Sequence, residues 1–143
     1  MNTKSKIIYI VAFLLISIAT ISAQLRLGES YSTVLNSLNA SGIIVSKSQE
    51  NGLKTLSYSG EGTGGHAKIT YKFNRSDVCD LMVLATNSQE LIKILITNYD
   101  ANYETIQPKA GFTKSWKDLY GIIVSYKVEI KNGKKFYYIY HYR

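Results

Sequence analysis

The sequence predicts an α+β fold: two helices packed on one face of a curved antiparallel sheet, in the order α-β-β-β-β-α-(β)-β-β. Three observations carry that expectation. Residues 31–38 and 91–103 place apolar side chains at helical spacing. The stretches between and after them alternate with period two or are rich in β-branched and aromatic residues. Asn51-Gly52 and Asn132-Gly133 mark tight turns, and strands joined by short turns form antiparallel meanders.

The first 23 residues read as an address. Lys4 and Lys6 precede an apolar run from Ile7 to Ile21, and Ile21-Ser22-Ala23 offers a small-residue cleavage site before Gln24. The run is shorter than the roughly 20 residues a spanning helix needs; the alternative is an uncleaved anchor. We therefore expect an exported protein, periplasmic or secreted, cleaved after Ala23, with residues 24–143 forming a single domain. Losing Lys4 and Lys6 lowers the formal charge from +7 to +5. That charge is uneven: residues 24–108 carry seven basic and eight acidic side chains, residues 109–143 eight basic and two acidic. With Cys79 as the one cysteine, no internal disulfide can form, and stability must come from packing.

Ser30 caps the first helix, in which Tyr31, Val34, Leu35 and Leu38 make one stripe, and Gly42 suits the position just past its end. Ile43–Gln49 and Lys54–Ser59 pair across Asn51-Gly52; pairing Val45 or Ile44 with Tyr58 buries similar surface, so that register stays open. The glycine-rich run 60–65 links this hairpin to His66–Phe73, where Ala67, Ile69, Tyr71 and Phe73 point inward. Val78–Ala85 follows. Setting Phe73 opposite Cys79 places Cys79, Leu81, Val83 and Ala85 inside and Asp80 opposite Lys72.

The second helix is expected over residues 87–103, capped by Asn87 with Glu90 three residues on. Its apolar face holds Leu91, Ile92, Leu95, Ile96, Tyr99 and Tyr103, while Ile94 falls with Lys93 and Thr97 on the polar side. Residues 105–110 read as a loop and 112–116 as a short strand. In the last hairpin, a three-residue turn with Gly133 as a bulge would gather Ile122, Val124, Tyr126, Val128 and Ile130 with Phe136, Tyr138, Tyr140 and Tyr142 on one face. It would set Glu129 opposite Lys135. That arrangement buries the tyrosines and leaves the lysines on a solvated face.

The segment Leu27-Gly28-Glu29-Ser30-Tyr31-Ser32-Thr33-Val34-Leu35 resembles the helix opener of beta-lactamase-inhibitory-protein-like domains and of the related small outer-membrane-assembly lipoproteins. The element order is similar too. The resemblance implies tandem helix-plus-antiparallel-sheet units and a protein-binding role. The chain lacks the lipid-attachment cysteine of the lipoproteins and the disulfides expected of the inhibitors, and the resemblance transfers no site residues.

Catalytic chemistry finds little footing. The glycine run is followed by His66-Ala67 and a strand, not by Lys-Ser/Thr and a helix, so it does not fit a phosphate loop. His66 and His141 have no metal-ligand spacing with Cys79 or an acid, and no carboxylates pair as a glycosidase would need. We expect no enzyme, cofactor or metal. The surface residues with binding potential are Lys114, Lys117, Lys127, Lys131, Lys134 and Lys135, with Ile94 as an apolar anomaly. The leading expectation is an exported, non-enzymatic module that binds another protein in the envelope or outside the cell. The alternatives are a binder of anionic lipid headgroups or polysaccharide through the basic C-terminal hairpin, and a small hydrolase. No intracellular nucleic acid is expected as a partner.

Overall fold

The computed structural model describes residues 26–62 and 64–143. The expected leader, residues 1–23, lies outside them. Helix α1 (Tyr31–Ala40) leads into strands β1 (Ser46–Glu50), β2 (Leu53–Gly62), β3 (Gly65–Phe73) and β4 (Cys79–Thr86). Helix α2 (Gln89–Asn102) leads into β5 (Glu104–Ile106), β6 (Lys114–Lys117), β7 (Ile123–Lys131) and β8 (Lys134–Tyr142). The strands form one antiparallel sheet in the order β1-β2-β3-β4-β8-β7-β6-β5. Each helix thus precedes a four-stranded meander, and the two meanders meet where β4 pairs with β8. Strand β5 is an addition to the expected order: Glu104 and the first two residues of the expected loop, Thr105 and Ile106, pair with β6.

Residues directly opposite in antiparallel strands share a face. Leu56, Tyr71, Met82, His141, Val124 and Trp116 are successive cross-strand partners from β2 to β6, and all are buried. This row is the spine of the core. Val34 and Leu38 of α1 are buried in the same cluster, and Tyr31 meets Phe73 edge-on at 5.1 Å. Ile92, Leu95 and Tyr99 of α2 are buried, and Tyr99 lies 5.2 Å from the Trp116 ring.

Helix α1 begins and ends as expected. Ser30 accepts from the Thr33 N–H, and Gly42, at φ +74°, lets the Gly42 and Ile43 N–H groups bond back to Asn39 and Leu38. In α2 the cap is Ser88, not Asn87: Ser88 Oγ accepts the Leu91 N–H. Asn87 is drawn away because its Oδ1 accepts the His66 N–H at 2.8 Å. That contact explains part of the glycine run, which is ladder more than loop, with Gly62 opposite Gly65. A Cβ on Gly65 would come within 2.3 Å of Asn87 Oδ1 and 3.2 Å of the Ser88 nitrogen. Gly65→Ala should therefore cost about 1–3 kcal/mol in urea denaturation; an unchanged midpoint would show that Asn87 gives way freely.

One register that the sequence leaves open is decided, and two register expectations are corrected. Across Asn51-Gly52 the ladder pairs Ser46 with Ser57, in line with Val45 rather than Ile44 opposite Tyr58; Ile44 is 92% exposed. In β4, Phe73 does face a buried Cys79, but Lys72 pairs with Leu81, so Asp80 is a bulge and not the partner of Lys72. The chain before α1 holds this bulge through two backbone bonds: the Gly28 N–H donates to Cys79 O, and the Cys79 N–H donates to Glu29 O. Beyond the bulge Met82, Leu84 and Thr86 turn inward, leaving Leu81, Val83 and Ala85 half-buried on the opposite face. In the last hairpin Glu129 pairs with Phe136, not with Lys135. Asn132 (φ +51°) and Gly133 (φ +74°) form a two-residue turn whose twist matches the strands, and no bulge is needed. Tyr137, Ile139 and His141 are buried instead of Phe136, Tyr138, Tyr140 and Tyr142, and Ile130 is 68% exposed. His141 tolerates the core because its Nε2 shares a 2.9 Å hydrogen bond with the Tyr99 hydroxyl.

Candidate functional site

The two register changes act together. They bring β4 and β8 side chains onto the face opposite the buried spine. There Tyr142 lies opposite Leu81, Tyr140 opposite Val83, and Tyr138 opposite Ala85. One strand further, Lys72 stands opposite Leu81, Thr70 opposite Val83, and Lys68 opposite Ala85. Low aliphatic side chains on β4 thus run between a line of tyrosines on β8 and two lysines on β3. Beyond β8, Lys127 is the partner of Tyr138, and Ser125 that of Tyr140.

The tyrosines organise the cations beside them. Lys127 Nζ sits 5.5 Å from the Tyr138 ring centroid and 5.3 Å from that of Tyr140. Lys131 Nζ is 5.3 Å from the Tyr138 centroid and donates to its hydroxyl at 2.9 Å. Lys109 lies over Tyr142 at 5.4 Å, and Phe112 meets Tyr140 edge-on at 5.3 Å. These are cation–π distances. Glu129 ion-pairs with Lys127 at 2.7 Å and Lys131 at 3.2 Å. Its hydrogen bond holds the Lys127 ammonium above its ordinary value, and the Tyr138 hydroxyl does so for Lys131. In return Lys127, then Lys131, hold the Glu129 carboxyl below its usual range.

The structure divides the residues expected to bind. Lys127 and Lys131 join the tyrosine face. Lys134 and Lys135 are exposed at the hairpin tip, and Lys117 is exposed at the end of β6; none of these three makes an ion pair among the described residues. Lys114 is committed elsewhere: it bonds Asp100, which also accepts from Trp116 Nε1 at 2.9 Å. The hydrogen bonds from Lys114 and then Trp116 hold the Asp100 carboxyl below its usual range. Ile94 is half-buried and packs against the core, because α2 buries a broader stripe than a helical wheel assigns.

Residues that the sequence did not single out complete the face: Tyr138, Tyr140, Tyr142, Lys68, Lys72 and Lys109. The signal that could have found the tyrosines is the Asn132-Gly133 pair itself, which favours a two-residue turn. A second missed feature is the β6–β7 loop. Asp118 is buried, and its Oδ1 accepts the Tyr120 and Ile122 N–H groups at 2.8 Å each, which presents Leu119 (97% exposed) and Tyr120 to solvent.

The groups capable of catalysis lie in different settings. Burial pushes the Cys79 thiol up to about 12, so it is not a thiolate at neutral pH. His66 is exposed opposite Glu61. His141 meets a tyrosine hydroxyl, and its Nδ1 is buried without a hydrogen-bond partner among the described residues. Among the described residues no three His, Cys, Asp or Glu side chains gather as a metal site, and no helix is long and apolar enough to cross a membrane. Set against known families, curated proteins and solved structures, the chain matches no family model, no curated protein and no solved structure.

Proposed function

We propose that this chain is a small, exported, non-enzymatic binding module that engages an anionic partner across the face of its sheet that carries Tyr138, Tyr140 and Tyr142. Tyr31 of α1 meets Phe73, two residues along β3 from the spine residue Tyr71, and Tyr99 of α2 meets the spine residue Trp116. We read both helices as covering the face of the spine and leaving the other for a partner. The observation that carries the reading is the register of the last hairpin, which sets half-buried tyrosines beside lysines instead of hiding them in the core. Aromatic rings ordering ammonium groups beside Lys68 and Lys72, in three cross-strand rows without a carboxylate, suit recognition of negative charge.

Binding should weaken steeply with ionic strength, since exposed charges are screened over about 8 Å at physiological salt. Lys127→Glu is the sharpest test. It reverses the charge between two rings and sets two carboxylates side by side. Affinity for an anionic matrix at low salt should fall about tenfold. Retention that ignores both salt and this substitution would refute an electrostatic face.

A second reading, a protein partner added to the sheet edge, is favoured by β1. All five of its residues are exposed and it pairs on one side only. Across the two-residue turn Glu50↔Leu53 and Ser48↔Thr55 are the hydrogen-bonded pairs, so the Gln49 N–H faces outward, and Gln49→Pro would abolish that mode while leaving the hairpin and the tyrosine face intact. Affinity capture with the chain from Gln24, with and without each substitution, separates the two.

A further inference from the structure

We infer that the trough along β4 takes a linear acidic polysaccharide, a chain of sugar rings bearing carboxylates or sulfates. The inference rests on the binding-face reading above and adds the chemistry of the ligand. Its floor is Leu81, Val83 and Ala85, half-buried aliphatic side chains that reach less far from the sheet than the tyrosines and lysines paired with them. Its walls are the tyrosines of β8 on one side and Lys68 and Lys72 of β3 on the other. Alternate residues along a strand are about 6.6 Å apart, so the tyrosines repeat at that spacing and the two lysines, with Thr70 between them, at about 13 Å, an extended array that suits a polymer rather than a single small ion.

Charge complementarity selects an anion. From β2 through β7, the three cross-strand rows that contain Tyr142, Tyr140 and Tyr138 hold Lys72, Lys68 and Lys127 and no carboxylate. Outside these rows Glu129 is engaged by Lys127 and Lys131, Glu61 stands opposite His66 beyond Lys68, and Asp80 is exposed in the bulge before Leu81. Hydroxyls select a sugar. In the same rows β2 and β3 contribute Thr55, Ser57, Ser59 and Thr70, and β8 contributes three phenols. These groups can donate to and accept from ligand hydroxyls.

The ring faces argue against a nucleic acid. Stacked bases need free aromatic faces, whereas Lys127 and Lys131 stand over Tyr138, Lys127 over Tyr140, and Lys109 over Tyr142. What this face offers is ammonium and hydroxyl donors. A flat lipid surface would meet the rims of the trough and not its floor.

The test uses the purified protein, with polyuronate and dextran sulfate as probes and with neutral dextran, oligothymidylate and phosphatidylglycerol vesicles as comparators. The expected result is salt-sensitive binding to the acidic polysaccharides. It should weaken about tenfold in the Lys68→Gln/Lys72→Gln pair and less than about twofold in the Lys134→Gln/Lys135→Gln pair, which removes the same charge from the hairpin tip. Circular dichroism establishes that both pairs are folded. Equal loss in the two pairs would mean diffuse charge attraction and overturn the trough. Preference for oligothymidylate or vesicles, still lost with Lys68 and Lys72, would overturn the polysaccharide but keep the binding face. Absence of binding to every anionic probe would overturn both.

Discussion

Trp116→Ala is expected to be the most damaging single substitution in the domain. The side chain is wholly buried on β6, at the end of the spine that begins with Leu56. Its ring stacks at a tilt on Tyr99 of α2, and its Nε1 donates to Asp100 one residue further along the same helix. One residue therefore joins α2 to the sheet by both packing and a hydrogen bond. Truncation removes the largest fully buried side chain and leaves a cavity that the short strand β6 is poorly placed to close. The cost should be about 3–5 kcal/mol, a large share of the roughly 5–15 kcal/mol that holds a domain of this size. Trp116→Phe keeps most of the volume and loses the hydrogen bond, so it should cost less, on the order of 1–2 kcal/mol. Urea unfolding followed by circular dichroism checks both values, since the alanine variant has no tryptophan to report by fluorescence. A loss below about 1.5 kcal/mol for Trp116→Ala would mean that α2 is held mainly by its other contacts.

Acid should destabilise the protein well before its carboxylates titrate. Burial lowers His141 from 6.5 to about 4. The groups that face it are the Tyr99 hydroxyl and the apolar or neutral side chains of its cross-strand partners Met82 and Val124. None of these carries a charge to offset a buried imidazolium. The folded state thus keeps His141 neutral where the unfolded chain already binds a proton. The stabilising contribution is complete above pH 6.5 and is lost progressively as pH falls toward 4, by about 3 kcal/mol in all. Asp100 and Glu129, whose values are lowered chiefly by hydrogen bonds from their lysine partners, begin to lose their contributions only below their ordinary values of 3.8 and 4.5, so the window from 6.5 to 4.5 belongs to the histidine. Denaturation midpoints at pH 7.5, 5.5 and 4.5 should fall in that order. His141→Phe, less stable or not at neutral pH, should show a flatter profile across the window. Equal midpoints for the wild-type protein at pH 7.5 and 4.5 would refute the assignment.

What could be read in the chain, and what could not, follows from where local rules suffice. Helix α1 was legible because Ser30, a four-residue stripe and Gly42 all agree, and none depends on a distant residue. The inward face of β3 was legible because Ala67, Ile69, Tyr71 and Phe73 alternate without exception. The apolar face of α2 was legible for the same reason, although Ser88 displaced Asn87 as its cap once the His66 N–H of β3 claimed the asparagine. The β4 bulge depends on backbone bonds from Gly28 and Glu29, some fifty residues earlier in the chain. The β8 register depends on counting His141 as a core residue, which only the Tyr99 hydroxyl across the helix interface permits. Hydrophobic sums favoured the wrong face because four aromatic side chains outweigh a tyrosine, an isoleucine and a histidine. The candidate site inherits both errors. It exists only because two registers shifted, so it was the least legible part of the molecule.

The β4–β8 junction also sets an order of events. Strand β4 is complete by residue 86, but its outer neighbour is the last strand of the chain. Until β8 arrives, the first meander carries a bare row of peptide groups along one side and an unfinished core beneath it. Consolidation must therefore wait for β8, and contacts of such long sequence separation form slowly. Synthesised as two pieces divided between Thr86 and Ser88, the halves should recognise each other by zipping these two strands together, each acting as the missing template of the other.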